Sequence, residues 1–174
     1  IDGARLGYGL VSAACDYDLP LLAKHCDVFY IGGTKVGAMM GEAVVFSGMK
    51  APKYFFTNVK RHGALLAKGR MLGVQFDTLF TDELYFKISR HAIAMATRIR
   101  SIFEKHGIAI AYDSPTNQQF VVLSPALYEA LSQKVAFEIW ERKSEHEIIC
   151  RFVTSWATKE EELDELDRIL QAYA

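Results

Sequence analysis

The chain has 174 residues, 51% of them apolar and 24% charged, with 20 Lys and Arg against 21 Asp and Glu. That is ordinary globular composition, enough for one large domain or two small ones with a sizeable core. A net charge of −1 lacks the basic excess of a nucleic-acid footprint, no apolar run approaches the ~20 residues of a membrane-spanning helix, and no signal peptide is visible.

Ile1 to Arg5 reads as the end of a buried strand with a turn at Gly3. The sequence enters it without an initiator Met, so the N-terminal part of a longer protein is expected to precede it. Leu6 to Ala14 predicts a short helix or turn, and Pro20 to Lys24 one helical turn. Val28-Phe29-Tyr30-Ile31 and Ala43 to Phe46 are short apolar strands. Separated by helical segments, they predict a parallel α/β sheet.

From Pro52 to about Phe80 the pattern turns helical, with Leu65, Leu66, Leu72, Phe76 and Leu79 at helical spacing. Lys60, Arg61, Lys68 and Arg70 read as a solvated face. Asp82 is expected to cap a long helix, about Glu83 to Lys105, along which Phe86, Ile93, Ala96, Ile99 and Phe103 form an apolar stripe. Gly107 ends it. A helix of this length commonly links domains, so the boundary is expected near its start: 1–82 and 83–174.

Beyond it, strands are expected at Ile108–Ala111, Phe120–Leu123, Ala136–Trp140 and Ile148–Thr154, with a helix near Ala126–Ser132. Thr158 with Glu161 has the capping-box pattern. The helix it starts carries Leu163, Leu166, Ile169, Leu170 and Tyr173 on one face. This half reads as a small α+β domain of mostly antiparallel strands.

Cys15, Cys26 and Cys150 are odd in number and lack metal spacing. They read as reduced, buried thiols of a cytoplasmic protein. The five histidines, His25, His62, His91, His106 and His146, form no ligand pattern, and no metal site is expected.

The chemistry lies in Asp2, Arg5, Lys35 and Arg151. A lysine, a carboxylate and arginines are what pyridoxal phosphate requires. The lysine forms a Schiff base with the aldehyde, the acid keeps the ring nitrogen protonated, and a guanidinium takes the substrate α-carboxylate. The same residues would equally make an exposed Asp2–Arg5 ion pair, a solvated Lys35 and an Arg151 capping a carbonyl.

Asp2-Gly3-Ala4-Arg5-Leu6, then Asp27 leading into Val28 to Ile31, then Gly32-Gly33-Thr34-Lys35, resembles the core of the threonine aldolase family. That family belongs to the fold-type-I pyridoxal-phosphate enzymes. Gly41-Glu42-Ala43-Val44-Val45-Phe46, the segment from Arg61 to Phe76, and Arg151-Phe152-Val153-Thr154 continue the match.

The resemblance implies an α/β fold. Part of a fold-type-I large domain, with a mixed or parallel sheet, would be followed by a small α+β C-terminal domain. It makes Lys35 the Schiff-base lysine and Asp2 the partner of the pyridinium nitrogen. Arg5 would meet the substrate carboxylate or the ring oxygen, Arg151 would complete the carboxylate clamp, and Thr34 would hydrogen-bond near the cofactor phosphate. Arg61 and Lys68 would lie near the cofactor or a subunit interface. In the family the ring-stacking side chain and the Gly-rich phosphate turn come from upstream of this segment.

The implied activity is that of a low-specificity, pyridoxal-phosphate-dependent threonine aldolase, a lyase cleaving β-hydroxy amino acids to glycine and an aldehyde. The implied assembly is a homodimer or homotetramer acting on a small amino acid, without nucleic acid or membrane. The alternatives are another pyridoxal-phosphate β-eliminating lyase and a non-catalytic fragment or assembly partner.

Overall fold

The structure, a computed structural model, describes residues 1–48 and 50–173. The chain divides into two compact units, Ile1–Val11 with Cys15–Ile88, and Ser12–Ala14 with Ser89–Ala174.

In the first unit the apolar run Val28–Gly32 forms strand β1. Its β-branched and aromatic residues suit a pleated surface, and Phe29 and Ile31 bury one of its faces. Strand β2, Glu42–Phe46, pairs with it antiparallel, from Val28 opposite Phe46 to Gly32 opposite Glu42. The other edge of β1 takes the start of the chain. The Ile1 amine donates to the Val28 carbonyl at 3.2 Å, the Tyr30 amide to the Ile1 carbonyl at 3.3 Å, and the Gly32 amide to the Gly3 carbonyl at 2.9 Å. One residue bonded to positions on either side of its neighbour is the parallel pattern. The two apolar runs therefore pair antiparallel in a two-stranded sheet, not parallel as their sequence predicts, and the parallel-type bonds are those that residues 1–3 make to the other edge of β1.

Helix α1, Leu6–Leu10, follows Arg5 directly. Helix α2, Leu19–His25, starts with Asp18 accepting the Leu21 amide at 2.8 Å, a side-chain N-cap that satisfies one orphan amide. Helices α3, Phe55–Arg61, and α4, Arg70–Phe80, come next, joined to α5 by a 3₁₀ turn at Thr81–Glu83. Leu65 and Leu66, expected inside the helical pattern, are exposed, whereas Leu79 is buried.

Helix α5, Leu84–Lys105, begins one residue later than its sequence pattern. Asp82 is not its extended cap. Asp82 and Glu83 both stand at positive φ, 50° and 58°, in the connecting turn. The buried stripe of α5 runs through Tyr85, Ser89, Ala92, Ala96, Ile99 and Phe103, and Phe86 and Ile93 are only half-buried. The helix ends as expected at Gly107, φ 70°, where the Ile108 amide reaches the Phe103 carbonyl at 2.9 Å.

The second unit is a four-stranded antiparallel sheet in the order β3-β4-β6-β5: Ile110–Tyr112, Gln118–Leu123, Ile148–Val153 and Glu138–Arg142. Val121 and Leu123 of β4 and Cys150 and Phe152 of β6 enter one core. That core also holds Met95, Ile99, Ile102 and Phe103 of α5, Leu131 of α6 (Pro125–Ser132) and Leu163, Leu166, Ile169 and Leu170 of α7 (Glu160–Gln171). Each large aliphatic side chain buried this way contributes about 1.5–3 kcal/mol. Helix α7 is capped one residue later than its sequence pattern, because Thr158 Oγ1 accepts the Ser155 amide and Glu162 instead takes the Lys159 amide at 3.0 Å. Tyr173, expected on the buried face, is exposed, with Lys134 over its ring. The cysteines are free thiols, Cys15 and Cys26 half-buried and Cys150 buried.

Candidate active site

Parallel pairing sets Ile1 beside Phe29 and Asp2 beside Tyr30, so the Asp2 and Tyr30 side chains leave the same face of the sheet. The Asp2 carboxylate accepts the Ala4 amide at 3.0 Å, turning the chain out of its strand and towards α1. It also accepts a hydrogen bond from the Tyr30 phenol. That bond, then the Ala4 amide and the nearby Lys35 charge, hold the Asp2 carboxyl below its ordinary 3.8. The same bond pushes the Tyr30 phenol up to about 12.

Lys35 stands in the turn that follows β1, where the Val36 and Ala38 amides both donate to the Gly33 carbonyl, at 2.8 and 3.0 Å. Val36 and Ala38 are buried and anchor the turn, which leaves the Thr34 and Lys35 side chains facing solvent. Gln75 of α4 braces the far side of this loop, accepting the Met39 amide at 2.7 Å.

Glycine is obligatory where the two segments meet. A Cβ on Gly3 would fall 1.7 Å from the Tyr30 carbonyl oxygen, and one on Gly32 would fall 2.6 Å from that of Ala4. Gly33 is closed in by Phe76, Ala38 and the Gly41 carbonyl. These approaches bring the backbone bearing Asp2 against the backbone bearing Lys35.

Two tyrosines tie the same backbone from inside. The Tyr8 phenol donates to the Lys35 carbonyl. The Tyr85 phenol accepts the Gly7 amide and donates to the Gly32 carbonyl, each at 3.0 Å, and burial pushes it up to about 12.

Arg5 precedes α1, with its Nε buried and without a hydrogen-bond partner. Arg61 and Lys68 are exposed. Arg151 belongs to the second unit, on β6 between Phe120 and Glu138. One guanidinium nitrogen meets Gln118 Oε1 at 2.9 Å, another meets Glu138, and the group lies 5.3 Å from the centre of the Trp140 ring. Its Nε, like that of Arg5, is buried without a partner.

No family model matches the chain. It is 27% identical over 173 residues to the low specificity L-threonine aldolase of a Pseudomonas species, a match over 99% of this chain and 49% of that protein. The Pseudomonas aeruginosa protein of the same name is 27% identical over 169 residues, 97% of this chain and 48% of its own length. Threonine aldolase from Leishmania major superposes with a TM-score of 0.94 at 35% identity, covering 99% of this chain and 50% of that one. The chain is a homologue of threonine aldolases. It spans about half the length of the relatives it matches, and that half is the C-terminal one. SPT with its PLP internal aldimine shares the fold at 14% identity and a TM-score of 0.64. The architecture is that of the fold-type-I pyridoxal-phosphate enzymes.

The donor set suits such a cofactor. An ionised carboxylate matches a protonated ring nitrogen, a solvent-facing primary amine matches an aldehyde, and an unpartnered guanidinium N–H matches an anionic oxygen. Among the described residues no group of His, Cys, Asp and Glu could hold a metal ion, and no helix is long and apolar enough to cross a membrane.

Sequence reasoning singles out Asp2, Arg5, Thr34, Lys35 and Arg151 and passes over Tyr8, Tyr30, Gln75 and Tyr85. Tyr30 is within its reach, since a parallel register between residues 1–3 and β1 puts Tyr30 on the face that Asp2 shares. Tyr85 gives no local signal, because its partners lie 53 and 78 positions away.

Proposed function

We propose that this chain carries the catalytic lysine of a pyridoxal-phosphate-dependent aldolase, a carbon–carbon lyase that cleaves L-threonine or related β-hydroxy amino acids to glycine and an aldehyde. The observation that supports it best is the junction of Asp2 and Lys35. An acid held ionised and an exposed amine stand on neighbouring chain segments, closed on each other through Gly3 and Gly32. The homology to threonine aldolases supports the choice of reaction.

When bound, pyridoxal phosphate supplies an electron sink for the pair left on Cα as the Cα–Cβ bond breaks. Lys35 would hold it through the ε-amine. Asp2, kept ionised by Tyr30 and the Ala4 amide, would keep a proton on the ring nitrogen. Arg5 would offer its unpartnered Nε–H to the ring oxygen or the substrate carboxylate, and Thr34 would hydrogen-bond near the phosphate. Arg151 would take the substrate α-carboxylate, the interaction for which a planar guanidinium is best shaped. Residues 1–82 would belong to the large domain and 83–174 to the small one, in a cytoplasmic homodimer or homotetramer.

The test is Lys35→Ala in the full-length protein. Threonine cleavage and the visible absorbance of the lysine-bound cofactor should both disappear; a variant that keeps both overturns the assignment. Glycine and aldehyde as products distinguish this reaction from β-elimination, which releases a keto acid and ammonia.

A further inference from the structure

Two buried phenols that the proposed chemistry leaves unused converge on the backbone that carries Lys35. Helix α1 opens on Arg5, and no side chain caps it. Its second amide, that of Gly7, is an orphan donor of the first turn. Tyr85 supplies the missing acceptor from α5, 78 residues along the chain, at 3.0 Å. A phenol can accept and donate at once, and the Tyr85 proton goes to the Gly32 carbonyl, also at 3.0 Å. One hydroxyl therefore joins the helix that follows Asp2 and Arg5 to the end of the strand that precedes Lys35. Tyr8, on the same helix, donates to the carbonyl of Lys35 itself. Both rings are almost fully buried, and that of Tyr85 is stacked on Phe80, with centroids 5.1 Å apart.

We infer that Tyr8 and Tyr85 are positioning residues for Lys35, fixing the segment that bears the lysine against the segment that bears Asp2 and so setting where the ε-amine stands relative to the carboxylate. The inference rests on the reading of Lys35 as the cofactor lysine. It explains why two hydroxyls are kept inside an apolar interior where phenylalanine would pack as well. Burial keeps the Tyr85 proton in place at every working pH, with its pKa pushed up to about 12, so the bridge does not titrate with the reaction.

The experiment uses the full-length, cofactor-loaded protein with Tyr8→Phe, Tyr85→Phe and the double variant. Each keeps the ring and removes only the hydroxyl. The readouts are the pH midpoint of the lysine-bound cofactor's visible absorbance, the rate of cofactor loss after dilution, and KM against kcat for threonine cleavage. The expected result is a displaced midpoint, faster cofactor loss, and a fall in kcat of about 10- to 100-fold with KM little changed, the scale of a misplaced reacting group. Variants that match the wild type in all three readouts overturn the inference, even if their melting temperature falls, because the phenols then only support the fold. If Tyr85→Phe does not fold, Tyr8→Phe carries the same test. A wild-type protein that never develops the absorbance overturns the reading of Lys35 and this inference with it; a wild type that develops it beside indistinguishable variants overturns this inference alone.

Discussion

Gly32 donates its amide to the carbonyl of Gly3 at 2.9 Å, and neither residue has room for a side chain. The contact is backbone against backbone, so nothing flexible stands ready to move aside. A Cβ on Gly3 would lie 1.7 Å from the Tyr30 oxygen, well inside any non-bonded approach. Gly3→Ala must then break the parallel pairing of residues 1–3 with β1. The expected cost is more than about 3 kcal/mol, the upper range for overpacking, and the first unit should lose its fold. Soluble yield and far-ultraviolet circular dichroism check it. A Gly3→Ala protein that melts with the wild type would sink the claim that this contact holds the two segments together.

The bond between Tyr30 and Asp2 makes a prediction about acid pH. Asp2 has a folded pKa below its ordinary 3.8, with the Tyr30 phenol as the largest cause. Its contribution to stability is therefore present above the unfolded value and lost as pH falls through the lowered folded value. Tyr30 behaves in the opposite sense. Its pKa is raised from 10.0 to about 12, so its share is complete below the unfolded value and lost as pH rises through about 12. Tyr30→Phe should move the Asp2 carboxyl back up towards 3.8. Carboxyl titration of Asp2 by NMR in the cofactor-free protein measures it, and an unmoved Asp2 would show that the phenol does not set the charge.

How much of this was legible in the sequence follows from the range of the forces involved. Val28–Ile31, Gly107 and the apolar face of α7 signal themselves, because a β-rich apolar run, a left-handed cap and helical periodicity act within a few residues. The two ends of α5 differ for the same reason: Gly107 closes its own turn, whereas the conformation of Asp82, φ 50°, belongs to a junction with α4. The capping box of α7 lies one residue further on because Thr158 has a competing use, accepting the Ser155 amide. At the candidate site, Asp2, Arg5, Lys35 and Arg151 were visible as charged residues, and their grouping is what the resemblance implies. Their supports were not, since the Tyr85 bridges span the length of the first unit and only the folded chain brings them together.

The second unit stands on its own core, and Phe103 is its sharpest probe. The ring is fully buried and meets Phe152 edge-on at 4.7 Å, while Phe152 stacks on Phe137 at 4.6 Å. Phe103→Ala leaves a cavity between α5 and the sheet and should cost about 3–5 kcal/mol. Chemical denaturation should show it as a lower midpoint with an unchanged slope. A loss below about 1 kcal/mol would mean that the sheet collapses onto the helix more readily than its packing implies.

Arg151 already has a carboxylate beside it. Glu138 meets one of its guanidinium nitrogens from the edge strand, Gln118 holds another at 2.9 Å, and Trp140 lies against the group. If Arg151 receives the substrate carboxylate, Glu138 competes with the substrate for part of the charge, while Gln118 and Trp140 keep the plane of the fork in place. Glu138 is largely exposed, with its side chain 65% accessible, so the pair is screened by solvent and worth about 0–1 kcal/mol. Glu138→Gln should therefore lower KM for the amino acid, by no more than about fivefold, without changing kcat. Arg151→Lys should raise KM far more, because a lysine cannot reproduce the two-pronged contact. Steady-state kinetics on the full-length enzyme separates the two effects. A Glu138→Gln variant with raised KM would show that the glutamate orients the arginine for its ligand and does not compete for it.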